Sequence, residues 1–156
     1  MDSEFLRTIS FLKELTDEEL QGFSAIFTLA EIPPGGKIVE EGKVINSFSI
    51  VCKGTVHVRR TVQKKEMLLG RICTGGFFGE INLFDPGVAT GSIYAMDKVK
   101  IATTPYETLH EFMEANTNAG YKIVSALMAE VCRRLRLTNQ RFVNSVYWAS
   151  EQVPAK

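Results

Sequence analysis

Apolar positions along the chain fall into three successive rhythms. From Glu4 to Leu29 the residues Phe5, Leu6, Ile9, Phe11, Leu12, Leu15, Leu20, Phe23 and Ile26 recur at helical spacing, with an interruption near Thr16. Two short helices are therefore predicted. Thr16-Asp17-Glu18-Glu19 opens the second as a capping box, Thr16 able to cap and Glu19 placed to reach back to the cap amide. The pair either packs on the domain or forms an amphipathic partner-binding arm.

Glu31-Ile32-Pro33-Pro34-Gly35-Gly36 stops the helical pattern, and period two replaces it. Ile38, Phe48, Ile50, Cys52, Val56, Val58, Met67, Leu69, Ile72, Ile93 and Ile101 lie in short alternating strands, parted by Glu41-Gly42-Lys43, Lys53-Gly54 and Gly75-Gly76. Many short strands with glycine turns predict a sandwich or jelly roll closed enough to hide its edges. Helical period returns after Pro105, which is expected in a first turn with Thr104 as cap, and runs through Tyr106, Leu109, Phe112 and Met113. Residues Asn116 to Gly120 break it. From Tyr121 a long helix carries Val124, Met128, Val131, Leu135, Thr138, Phe142 and Ser145 in a three-four repeat, with Arg133, Arg134, Arg136 and Arg141 largely off the seam. Ile123, Leu127, Leu137 and Val146 add a second apolar face, so one side can lie on the barrel and the other on a second copy of the helix. A parallel homodimer is expected, a buried monomeric helix being the alternative.

The predicted fold is mainly β with flanking helices: a double-stranded β-helix (jelly roll, cupin-like β-roll) with N-terminal helices and a long C-terminal helix. Residues 1–150 are expected to form one domain, with helices over 4–29, the roll over 30–104, helices over 105–150, and a frayed tail at 151–156.

Composition removes several function classes. Lys plus Arg and Asp plus Glu are 18 each in 156 residues, so no bulk field recruits nucleic acid or an anionic membrane. The acidic start Met1-Asp2-Ser3-Glu4-Phe5 has no basic or long apolar stretch, and no apolar run reaches bilayer length; a soluble cytoplasmic chain is expected. Cys52, Cys73 and Cys132 are odd in number and lack Cys-x-x-Cys spacing, which predicts buried reduced thiols. A jelly roll can hold a catalytic metal, but His57 and His110 are the only histidines and no carboxylate cluster completes a ligand set. No nucleophile and base pair stands out either, so neither a metal nor a catalytic residue is assigned and an enzyme is not expected.

One stretch departs from plain sheet. In Phe77 to Ala95 a glycine and an acid precede a short apolar turn of Ile81, Leu83 and Phe84; Asp85-Pro86-Gly87 breaks it, and small residues lead back into a strand. Such a turn presents unpaired N–H groups to whatever lies beside Ala89 to Ser92. These residues resemble the phosphate-binding cassette of the cyclic-nucleotide-binding domain family, roughly Phe-Gly-Glu-Leu-Ala-Leu, a loop, then Pro-Arg-Ala-Ala-Thr. Phe78, Gly79, Glu80, Ile81 and Leu83 match the first half, while Ala89, Thr90, Gly91 and Ser92 fall where Arg-Ala-Ala-Thr is expected. The framework Pro34-Gly35, Ile38, Glu41-Gly42, Ser47 to Val51 and Gly54 to Val58 also resembles the family in order and spacing.

The resemblance implies a ligand such as cAMP or cGMP and no other cofactor. Glu80 would accept from the ribose 2′-hydroxyl, and amides around Gly79 to Ile81 and Thr90 to Ser92 would hold the phosphate. The arginine that pairs with the phosphate in the family is missing. Its loss weakens binding by about ten- to a hundredfold, since a charge-assisted hydrogen bond contributes about 1.5–3 kcal/mol. Arg71, in the strand entering the cassette, could replace it if its side chain points inward; parity groups it with Leu69 and Cys73 and leaves the face open. Arg59-Arg60 and Lys64-Lys65 bracket a hairpin tip and read as solvated surface.

The segment Cys132 to Asn139 resembles the long helix of the bacterial cyclic-AMP receptor transcription factors, which implies that Thr138 and Asn139 reach the base. A polar break that fixes helix register is the alternative. Those factors continue into a DNA-reading module, whereas only eight residues follow Trp148, so direct DNA binding is not expected. Two functions remain: a regulatory sensor that binds a cyclic nucleotide weakly and signals by repositioning the C-terminal helix, or a degenerate β-roll kept for dimerisation or docking.

Overall fold

The computed structural model describes Met1 and residues 3–151. In chain order the elements are α1 (Ser3–Thr8), a 3-10 turn (Ser10–Leu12), α2 (Asp17–Ala25), β1 (Thr28–Ile32), β2 (Lys37–Val39), β3 (Ser47–Lys53), β4 (Thr55–Val62), β5 (Lys65–Cys73), β6 (Phe77–Phe78), α3 (Glu80–Phe84), β7 (Ser92–Ala95), β8 (Val99–Pro105), α4 (Tyr106–Ala115) and α5 (Thr117–Glu151). The strands form two four-stranded sheets, ordered β1-β8-β3-β6 and β2-β7-β4-β5, with every pairing antiparallel. The predicted mainly β architecture, a roll with N-terminal helices and a long C-terminal helix, is the one observed.

Period two explains the roll. Val51, Val56, Phe78, Ile93, Ala95, Val99 and Ile101 from both sheets are buried together between them. The first sheet is buried on its other face as well: Phe48, Ile50, Phe77 and Ala102 join Leu6, Phe11, Leu12, Phe23, Leu109, Ile123 and Leu127 in a second cluster. Phe11 meets Phe77 edge-on at 5.0 Å and Phe23 meets Phe112 at 5.9 Å, the favoured geometry for aromatic pairs. Helices therefore cover one sheet, and α5 is anchored at its N-terminal half by Ile123 and Leu127. Leu137 and Val146, predicted on the same apolar face, remain exposed. A 35-residue helix is about 52 Å long and outruns the roll.

Local signals were right where chemistry fixed them and shifted where pairing did. The Thr16 capping box forms in both directions, and Glu19 also accepts from Lys122 at 2.8 Å and Asn118 at 3.1 Å, tying α2 to the start of α5. Leu29 leaves the helical run, because residues 28–32 pair with β8 along its length. Thr104 does not cap α4: it is buried in β8 opposite Phe48, Pro105 takes the cap position, and the Tyr106 amide donates to Asn46 O instead. The long helix begins at Thr117, four residues before Tyr121. Gly120 permits this, since a Cβ there would lie 2.8 Å from the Met113 carbonyl. Cys73 is exposed, contrary to the buried-thiol expectation, whereas Cys52 and Cys132 are half-buried. Glu151 is helical, and the rest of the expected frayed tail, 152–156, lies outside the described residues. No helix among the described residues is long and apolar enough to cross a membrane.

Candidate ligand site

Gly79 starts the site because the chain must turn sharply between β6 and α3. Its φ is 90°, and a Cβ would sit 2.5 Å from the Ser47 carbonyl, so only glycine fits without displacement. The Tyr106 hydroxyl donates to the Gly79 carbonyl at 2.6 Å, fastening the turn to α4. Burial and the neighbouring Glu80 charge push the Tyr106 phenol up to about 12, so it stays a donor.

Glu80, the first residue of α3, is 5% exposed. Its Oε1 accepts from Arg134 Nη1 of α5 at 2.7 Å. The same guanidinium donates to Phe77 O at 3.1 Å and to Glu130 Oε1 at 2.9 Å, and lies 4.7 Å from the Phe77 ring centre. One arginine thus bolts the long helix to the cassette through three contacts, while its bond to Glu130 lies within α5. Burial raises the Glu80 carboxyl above its ordinary value while the Arg134 charge pulls it back; burial prevails. Glu130 is held low, first by its hydrogen bond from Arg133. The apolar pattern does not single out Arg134, which lies off the seam with the other arginines of α5. Its signal was position: four residues after Glu130 and four before Thr138, it shares their helical face.

Ile81 is exposed beyond Glu80, while Asn82 and Leu83 are buried. Across the loop the Ala89 amide donates to Lys43 O at 2.8 Å and Gly42 N–H donates to Ala89 O at 2.9 Å. Ala89 therefore braces the loop with its main chain. Ala89, which falls at the family's arginine position, is buried, and its neighbour Thr90 is exposed. Gly91 packs on the Arg59 carbonyl, 2.8 Å from where a Cβ would stand. The Ser92 hydroxyl accepts from the Glu41 amide at 3.0 Å. Arg71 does not enter the roll: it pairs with His57 and is exposed, while its neighbours Ile72 and Val56 pack between the sheets. The inward alternative for Arg71 is thereby corrected. Thr138 donates back to Arg134 O at 2.9 Å, one turn beyond the Glu80 contact, and Asn139 is exposed. The structure thus joins Glu80 to α5 through Arg134 rather than through Thr138 or Asn139. Among the described residues no cluster of histidine, cysteine, aspartate or glutamate could hold a metal ion.

The family model of the cyclic nucleotide-binding domain matches residues 29–116, more than half of the chain. A roll of two antiparallel sheets, a glycine–glutamate turn opening a short helix and a long helix docked on it define this class, and the chain belongs to the cyclic nucleotide-binding domain family. Among curated proteins it is similar to the cAMP-activated global transcriptional regulator CRP of Escherichia coli, 25% identical over 137 residues that cover 86% of this chain and 63% of that protein. The chain thus spans less than two thirds of that relative. Among solved structures it is similar to the N-terminal domain of a transcriptional regulator from Streptomyces coelicolor, with TM-score 0.72, 26% identity, and coverage of 88% and 94%. A cyclic nucleotide-binding domain from Methylobacillus flagellatus shares the fold at TM-score 0.81 with 17% identity, covering 91% and 80% of the two chains.

Proposed function

We propose that the chain is a regulatory sensor that binds a cyclic nucleotide weakly between the cassette and α5 and signals by moving α5. The observation that carries this reading is the 2.7 Å contact of Arg134 with Glu80. It makes the helix position and the environment of the ribose-binding carboxylate one coupled quantity. Glu80 accepts from the ribose 2′-hydroxyl, amides of Gly79 to Ile81 and of Thr90 to Ser92 hold the phosphate, and Thr138 and Asn139 meet the base. A ligand shifts α5 only by its differential affinity for the two positions, so a site without a cassette cation makes a modest switch.

The exposed residues Met128, Leu135 and Phe142 on α5 supply a seam for a homodimer, about a quarter turn round the helix from Ile123 and Leu127. A second reading, a docking or dimerisation module with no small ligand, is favoured by one observation: Glu80 already pairs with the protein's own guanidinium. Calorimetric titration with cAMP and cGMP separates the two. Saturable heat that Glu80→Ala diminishes supports the sensor, and flat traces at millimolar ligand support the docking module.

A further inference from the structure

The second sheet, β2-β7-β4-β5, shows its outer face to solvent, and one row of residues crosses all four strands there. Lys37 pairs with Tyr94, Tyr94 with His57, and His57 with Arg71. Side chains alternate across a sheet, and the adjacent positions Val56, Ile93 and Ile72 point into the roll, so this row points out. It spans three interstrand spacings, about 14 Å. Arg59, two residues along β4, lies over the Tyr94 ring at 5.4 Å, and Lys37 lies 5.8 Å from the same ring. Burial and the charges of Arg71 and Arg59 hold His57 below its ordinary value, as expected where cations crowd.

We propose that this row is a docking face for an acidic segment of a partner protein. Carboxylates fit because the face already takes them: Glu66 pairs with Arg59 at 3.1 Å and Glu40 with Lys37 at 3.5 Å, both glutamates being exposed so that a competitor can displace them. Arg71 has no ion pair among the described residues and is the open end of the row. Single-stranded nucleic acid fits less well. It needs free aromatic faces for its bases, and of the two rings in the row Tyr94 is already flanked by two cations while the small His57 imidazole sits among the charges of Arg71 and Arg59. The sheet edge is not involved, so recognition is by charge and aromatic contact rather than by strand addition.

The probe is a fluorescein-labelled octaglutamate peptide, titrated with the full chain by anisotropy at low salt, beside a labelled octathymidine of equal length. Saturable binding of the peptide that weakens with added salt, is tighter than octathymidine, and falls by about tenfold or more with Arg71→Glu plus Lys37→Glu is expected. Lys13→Glu, an exposed charge on the N-terminal segment, should leave it unchanged. Arg71→Ala alone, checked by circular dichroism, supplies the answer if the double variant fails to fold. Absent binding, tighter binding of octathymidine, or equal losses from Lys13→Glu and the row variants would overturn the proposal.

Discussion

Replacing Arg134 by alanine strands Glu80, and the consequence has a sign as well as a size. Removing one partner of a buried ion pair costs about 3–5 kcal/mol. The Arg134 side chain is 31% exposed, so water reaches the vacated space and screening lowers the figure to about 2 kcal/mol. A further 1 kcal/mol or so goes with the Phe77 carbonyl bond and ring contact, independent of pH. The Glu80 carboxyl already titrates above its ordinary value of 4.5 in the fold, and loss of the guanidinium raises it further. The folded state then holds a proton that the unfolded chain has released. Stability from this group is therefore present below the unfolded value and is lost as pH rises through the folded one. Urea unfolding of wild type and Arg134→Ala between about pH 4.5 and pH 8 should show the difference growing with pH by about 2 kcal/mol. Adding Glu80→Gln should recover most of that pH-dependent part, because the neutral amide tolerates burial better. A difference that does not change with pH, or strict additivity of the two substitutions, would refute the coupling of Arg134 to Glu80.

Gly79→Ala places a methyl 2.5 Å from the Ser47 carbonyl at φ 90° and should destabilise by about 3 kcal/mol in thermal unfolding; an unchanged melting temperature would contradict the turn geometry. Glu19 is held low by Lys122 first and then by the Thr16 amide, so its contribution is present above the unfolded carboxyl value and is lost as pH falls through the folded one. Glu19→Gln should cost about 1 kcal/mol near neutral pH and nothing in strong acid, read by urea unfolding at the two conditions. Leu135→Glu with Phe142→Glu should turn a dimer into a monomer in sedimentation velocity, with the fold intact by circular dichroism. A monomeric wild type would remove the α5 seam from the account.

The roll was legible because alternation, glycine turns and proline stops all specify the same strands, and the Thr16 capping box was legible because it is a local reciprocal bond. Pairing partners were not. Residues 28–32 became a strand only because β8 lies beside them, and Thr104 was drawn into that sheet rather than left to cap α4. In the site, Gly79 and Glu80 could be found because the contiguous run from Phe78 to Leu83 resembles the family's cassette, and a contiguous run is a local feature. Arg134 lies 54 residues from Glu80 and acquires its role only when α5 folds back over β6. The face of Arg71 followed from its pairing with His57, which no single strand's parity reveals.

The proposed pocket binds a cyclised sugar-phosphate through main-chain donors and Glu80, without a cation in the cassette, and the exposed Thr90 is where one can be added beside it. Calorimetric titration of the wild type and Thr90→Arg with cAMP and cGMP tests it most directly. Weak saturable binding by the wild type, tightened about ten- to a hundredfold by Thr90→Arg, is the predicted result. Flat traces from both proteins at millimolar ligand would contradict it.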